Sequence, residues 1–284
     1  MNVGHTYESV ARLVRAVLGE APSAAELPGK YRETLSKLRP MPADQEGLHI
    51  SYENGAWADH CTVNKIFAHI FKGASVTDGP TRKDWETKVV EALDLIHEIS
   101  PELRHMVDFL VTDVVVVNTG ADGGGSASHI PGVVVMSPGR EWDVLDYAMC
   151  LVHEGMHLNL FVGDAVYGTF TLPSTVLEED QYRALSAVKI GQKRPLDKAF
   201  HAAIVTVPLM YMEQHQGRTN LVRLYTESLR DACTDLDKQR PHFTEYGRLL
   251  LDELIGFGET IDFASVERSI RSVEFAGYRP ALAA

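Results

Sequence analysis

Two histidines four residues apart, the first followed directly by a glutamate, stand in the middle of an apolar run: His153-Glu154-Gly155-Met156-His157. On a helix, residues i and i+4 share a face, so both imidazoles can point at one metal ion. Glu154 then sits beside that ion, where a carboxylate can take a proton from a bound water. Two exposed helix histidines would be the bland explanation. It fits poorly here, because unpaired polar groups in an apolar run are costly.

The flanking residues must supply the helix. Val144, Leu145, Ala148, Leu151, Val152, Met156 and Leu160 recur at steps of three and four, which predicts a helix over 141–162. Before it the texture is that of strands: Val111–Asn118 is rich in β-branched residues, and Pro131–Ser137 reads P-G-V-V-V-M-S. The Gly-rich stretch Thr119–Ser128 between them opens a strand rather than a helix and lacks a G-K-[ST] ending. A hairpin connection or mobile flap is therefore expected, not a phosphate cradle. Strand followed by metal helix is the element order of zincin-type metallohydrolases, an analogy of fold only.

The rest of the chain reads as helices. They are expected at His5–Gly19, Tyr31–Leu38, Asn54–Phe71, Trp85–Ile99 and Glu102–Leu110, and after the motif at Glu178–Ile190, Leu196–Gln214, Thr219–Asp237, His242–Ile255 and Asp262–Ala276. Gly163–Pro173 reads as a loop, and Pro208 is expected to kink its helix. The fold class is α+β, mostly helical, with a small β-hairpin or sheet next to the metal helix. No linker divides the 284 residues, so one domain is expected: 1–110 a helical N-terminal layer, 111–215 the metal-site core, 216–284 C-terminal helices.

Bulk properties exclude several classes. A net charge of −12 argues against a general nucleic-acid binder. No apolar run reaches membrane-spanning length, and Met1–Gly19 is too polar for a signal peptide. Cys61, Cys150 and Cys233 are far apart and odd in number, which suggests reduced thiols in a cytoplasm. Oligomeric state leaves no mark on the sequence.

Two histidines need a third protein ligand. The metzincin pattern requires Gly at Leu160 and His at Gly163, so that class is out. Asp164 could fold back from the loop after the helix. Glu178 or Glu179 could return on a second, antiparallel helix, although an acidic helix start favoured by the macrodipole is the better explanation of them. His201 lies in an otherwise apolar stretch, Ala199–Ile204, and the buried His pair draws it toward a ligand role. Arg194, seven residues earlier, could bind a carboxylate bidentately near the metal. Arg140, just before the metal helix, could reach the same group or cap a surface.

H-E-G-M-H at 153–157 together with R-P-L-D-K-A-F-H at 194–201 resembles the HExxH-motif peptide-modification proteins, regarded as 2-oxoglutarate- and Fe(II)-dependent peptide β-hydroxylases. The resemblance covers roughly residues 130–215. It implies iron held by His153, His157 and His201, with Arg194 on the distal carboxylate of 2-oxoglutarate, and Glu154 as a carboxylate near the metal or behind a ligand. The implied substrate is a ribosomally made precursor peptide, hydroxylated at a β-carbon. The alternative is a zinc metallopeptidase with Zn(II) bound and Glu154 as general base. A third reading is a metal-free helical binding module in which the motif is accidental.

Overall fold

The computed structural model describes residues 2–272 except Gln45 and Ala121. Helices dominate, in the order α1 (Val3–Leu18), α2 (Leu27–Leu38), α3 (Ala56–Val63), α4 (Ala68–Phe71), α5 (Gly79–Ile99), α6 (Pro101–Leu110), α7 (Val144–Tyr167), α8 (Ser174–Leu177), α9 (Leu196–His215), α10 (Asn220–Lys238), α11 (Glu245–Thr260) and α12 (Phe263–Arg271). The strands are β1 (His49–Tyr52), β2 (Asp113–Val116), β3 (Gly123–Ser126), β4 (Val133–Ser137), β5 (Arg183–Leu185) and β6 (Lys193–Pro195). Among the described residues no helix is long and apolar enough to cross a membrane. The chain folds as two compact units, one of residues 7–162 and one of residues 2–6 with 163–272.

In the 7–162 unit, β1 to β4 form one mixed sheet in the order β1-β2-β4-β3. β1 runs parallel to β2, and β2 parallel to β4, while β3 lies antiparallel to β4 at the edge. The expected hairpin between 111–118 and 131–137 is therefore not formed. The strands that form there, β2 and β4, are buried throughout. Strands covered on both faces belong in the centre of a sheet, and parallel neighbours satisfy that. The Gly-rich segment is itself the edge strand that makes the antiparallel pair.

The helix expected over 54–71 is broken. Lys65 and Phe67 take left-handed backbone conformations (φ 57° and 53°), which end α3 and set α4 apart. The apolar periodicity there serves packing rather than continuity. Ile66 and Phe67 pack on the cluster of Trp57, Cys61, Val115, Ile130 and Val135. α5 and α6 begin where the sequence supplies caps: the Asp78 carboxylate accepts from the Thr81 N–H, and the Ser100 hydroxyl accepts from the Leu103 N–H.

In the other unit, α9, α10 and α11 pack in sequence. The helix expected over 178–190 is absent. The short helix α8 is followed by a 3₁₀ turn at Asp180–Tyr182 and then by β5, whose Arg183, Ala184 and Leu185 pair with Pro195, Arg194 and Lys193 of β6. The loop expected from Gly163 starts later, because α7 runs on to Tyr167. Residues 273–276 of the last expected helix lie outside the described residues.

Candidate metal centre

Helix α7 has a reciprocal cap at its start. The Asp143 carboxylate accepts from the Leu145 and Asp146 N–H groups, and the Asp146 carboxylate accepts from the Asp143 N–H. This box fixes where the helix begins, and so which face carries each residue of the motif. His153 and His157 fall one turn apart, and their Nε2 atoms stand 3.2 Å from each other with the rings edge to face. Both are half-buried. Burial pushes the His153 imidazole down to about 4, so it is neutral near pH 7 and keeps a lone pair to give.

Glu154 is 5% exposed, and its Oε1 lies 3.8 Å from His153 Nε2. Its other oxygen, Oε2, accepts from the Ser126 hydroxyl at 2.7 Å. Burial raises the carboxyl to about 7; the Ser126 hydrogen bond pulls the other way and only partly offsets it. The Cys150 thiol, one turn before Glu154, is raised well above its usual range by burial and by the charge of Glu154.

The edge strand comes this close because it has no side chains to hold it off. A Cβ on Gly124 would stand 2.7 Å from Cys150 Sγ and 3.0 Å from Glu154 Oε1. On the opposite face, a Cβ on Gly125 would stand 2.8 Å from the Phe67 ring. The glycines thus let β3 lie between α7 and Phe67. Ser126 was not among the residues expected at the site. The signal was present as a serine closing a glycine run, but that pattern read equally as a turn.

The histidine pair fits a metal ion on the chemistry of its donors. Two imidazole nitrogens bound to a common ion at about 2.0–2.1 Å stand about 2.9–3.4 Å apart for angles from square to tetrahedral, and the separation here is 3.2 Å. Among the described residues no three His, Cys, Asp or Glu side chains gather as a metal-holding group.

His153, Glu154 and His157 are brought together, whereas His201 and Arg194 belong to the other unit. His201 sits in the first turns of α9. Burial lowers it to about 4, with Asp197 and Asp164 opposing and Lys198 assisting. Arg194 is half-buried on β6, opposite Ala184. Asp164 is exposed in the last turns of α7 rather than on a loop, and its carboxylate accepts from the Thr169 N–H. Glu178 and Glu179 are exposed around a turn, without the antiparallel helix that would have returned a carboxylate. Arg140 is exposed.

No protein-family model matches the chain, and the search of curated proteins gives no match. The resemblance to the peptide β-hydroxylases therefore rests on the motif residues alone.

Proposed function

We propose that this protein is a non-haem iron, 2-oxoglutarate-dependent dioxygenase that hydroxylates the β-carbon of a residue in a ribosomally made precursor peptide. The observation that carries the reading is the convergence of two imidazole nitrogens beside a buried carboxyl on α7. A zincin-like order of strand and metal helix belongs to the same proposal, as does a cytoplasmic location, which suits three free cysteines.

In this reading His153, His157 and His201 hold the iron, and Arg194 binds the distal carboxylate of the keto acid; the last two assignments come from the Arg-Pro…His spacing. When bound, iron supplies the activation of dioxygen, with one oxygen atom entering the peptide C–H bond and the other entering succinate as the keto acid loses carbon dioxide. Ser126 holds the Glu154 carboxyl in one orientation, with its other oxygen 3.8 Å from the His153 nitrogen that would bind the metal. Gly124, with no side chain, lets the edge strand close against Cys150 and Glu154.

The direct experiment is anaerobic reconstitution with Fe(II), followed by titration with 2-oxoglutarate and admission of air. A visible charge-transfer absorption on adding the keto acid, and succinate after air, are the expected results. Arg194→Ala should raise the keto acid requirement with iron still bound. His201→Ala should abolish metal retention, and Glu178→Ala should not.

One observation favours a second reading, a zinc peptidase. A carboxyl raised to about 7 can take a proton from a water and return it to a leaving amine. Peptide cleavage by the zinc form without oxygen, lost in Glu154→Gln, would select this reading over the first.

A further inference from the structure

The free edge of β3 has a main-chain pattern that can be worked out residue by residue. The N–H groups of Thr112 and Asp113 donate to the Gly132 carbonyl, and the Val117 N–H donates to the Met136 carbonyl. The even-numbered residues of β4 therefore turn their main-chain groups toward β2, and Val133, Val135 and Ser137 turn theirs toward β3. Gly123 is in register with Ser137, and Gly125 with Val135. These two glycines consequently bond inward, while Gly124 and Ser126 present both N–H and C=O outward at the edge. Among the described residues nothing pairs with those outward groups.

The same two residues face α7 with their other substituents. The Ser126 hydroxyl bonds Glu154, and the missing side chain of Gly124 is what admits Cys150 and Glu154. An open strand edge is normally blunted by shortness, charge, proline or a cover, and of these β3 has shortness. Here it is four residues long, nearly bare of side chains and half-buried except at Gly125, which is buried.

We infer that this edge is a docking rail for an extended peptide, which adds to the sheet as a fifth strand by bonding to the main-chain groups of Gly124 and Ser126. The inference rests on the proposed peptide-modifying function and names how the substrate is gripped. The recognised chemistry is a peptide backbone with two free amides two residues apart. Pairing at the usual spacing of about 4.8 Å sets alternate side chains of that peptide on the α7 side of the sheet. Ser126 then joins both events, with its backbone on the substrate and its hydroxyl on Glu154.

The test uses the full chain and a peptide selected on it from a random decapeptide display library, then resynthesised with each amide N-methylated in turn. Docking as a strand predicts an alternating scan. Methylation at two positions, i and i+2, weakens binding about tenfold or more, and methylation between them has little effect. On the protein side, Ser126→Pro removes an outward N–H from the ladder together with the hydroxyl, and should weaken binding about tenfold beyond Ser126→Ala, which removes the hydroxyl alone. A flat methyl scan, equal binding by the two Ser126 variants, or failure to select any binder would overturn the docking mode. Metal binding and succinate formation, measured on the same protein, report separately on the proposed function.

Discussion

Two buried carboxylates in the 7–162 unit have opposite surroundings. Asp113, 3% exposed, opens β2 and is fully engaged. Its Oδ2 meets Arg39 Nη2 at 2.7 Å and the Thr112 hydroxyl at 2.8 Å, and its Oδ1 meets Trp57 Nε1 at 3.0 Å and His49 Nδ1 at 3.2 Å. The Arg39 side chain is itself wholly buried. Among the described residues Glu154, 5% exposed, accepts from one side-chain hydroxyl, that of Ser126, and has only the neutral His153 ring within ion-pair range. A cavity of about 360 Å³ opens beside Asp113, against His49, Ser51 and Trp57. Even so, both carboxylate oxygens of Asp113 are already engaged. Burial alone therefore does not mark a reactive group. A buried carboxylate whose charge is answered holds the fold together, and one left short of partners keeps a proton within reach of neutral pH.

The largest effect that can break the comparison is at Asp113. Asp113→Ala leaves the Arg39 guanidinium buried without its counter-charge, and a loss of about 3–5 kcal/mol is expected in denaturant unfolding. Glu154→Gln should cost far less and be stabilising above neutral pH, because it removes a charge that burial disfavours. Equal losses at the two positions would erase the distinction.

The pH dependence is the next effect in size. The folded carboxyl of Glu154 titrates at about 7, above its ordinary value of 4.5, so the native state holds more protons between these values. The stability it contributes is fully present below about 4.5 and is lost as pH rises through about 7. In metal-free protein the change is on the order of 3 kcal/mol, and Glu154→Gln should flatten it. Chemical denaturation of both proteins from pH 4 to pH 8 reads the difference. Parallel curves would contradict it.

The motif helix was legible because its pattern is local: the i,i+4 histidines and the apolar steps from Val144 to Leu160. The valine-rich strands were legible as strands, but their partners were not, since a run of valines does not state its neighbour. β1 passed unseen, as four residues at a sheet edge give too little pattern. The segment 178–190 misled for a related reason. Its residues form helices readily, and what overrides them is pairing with Lys193–Pro195, where the missing proline N–H falls at the end of a two-stranded ladder. The Ser126–Glu154 bond was beyond reach, because it depends on β3 crossing to the far edge of β4.

Smaller effects sharpen the comparison. Gly124→Ala forces a Cβ against Cys150 and Glu154, with an expected cost of about 1–3 kcal/mol. Ala at Gly168 or Gly191, where the space is open but φ is positive, should cost only the backbone term, about 1 kcal/mol. Ser126→Ala removes a single hydrogen bond to the carboxyl and should cost about 1 kcal/mol. Thermal melts of the four variants rank them. A Gly124 variant as mild as the others would mean that β3 does not press on α7.

The proposed metal centre requires His153 and His157 to hold one ion. Anaerobic titration of the metal-free chain with Fe(II), and separately with Zn(II), measures this directly by calorimetry. One equivalent should bind to the wild type. Affinity should fall by about a hundredfold or more in His153→Ala and in His157→Ala, while Asp164→Ala binds as the wild type does. No binding by the wild type, or full binding by the two histidine variants, would contradict the account.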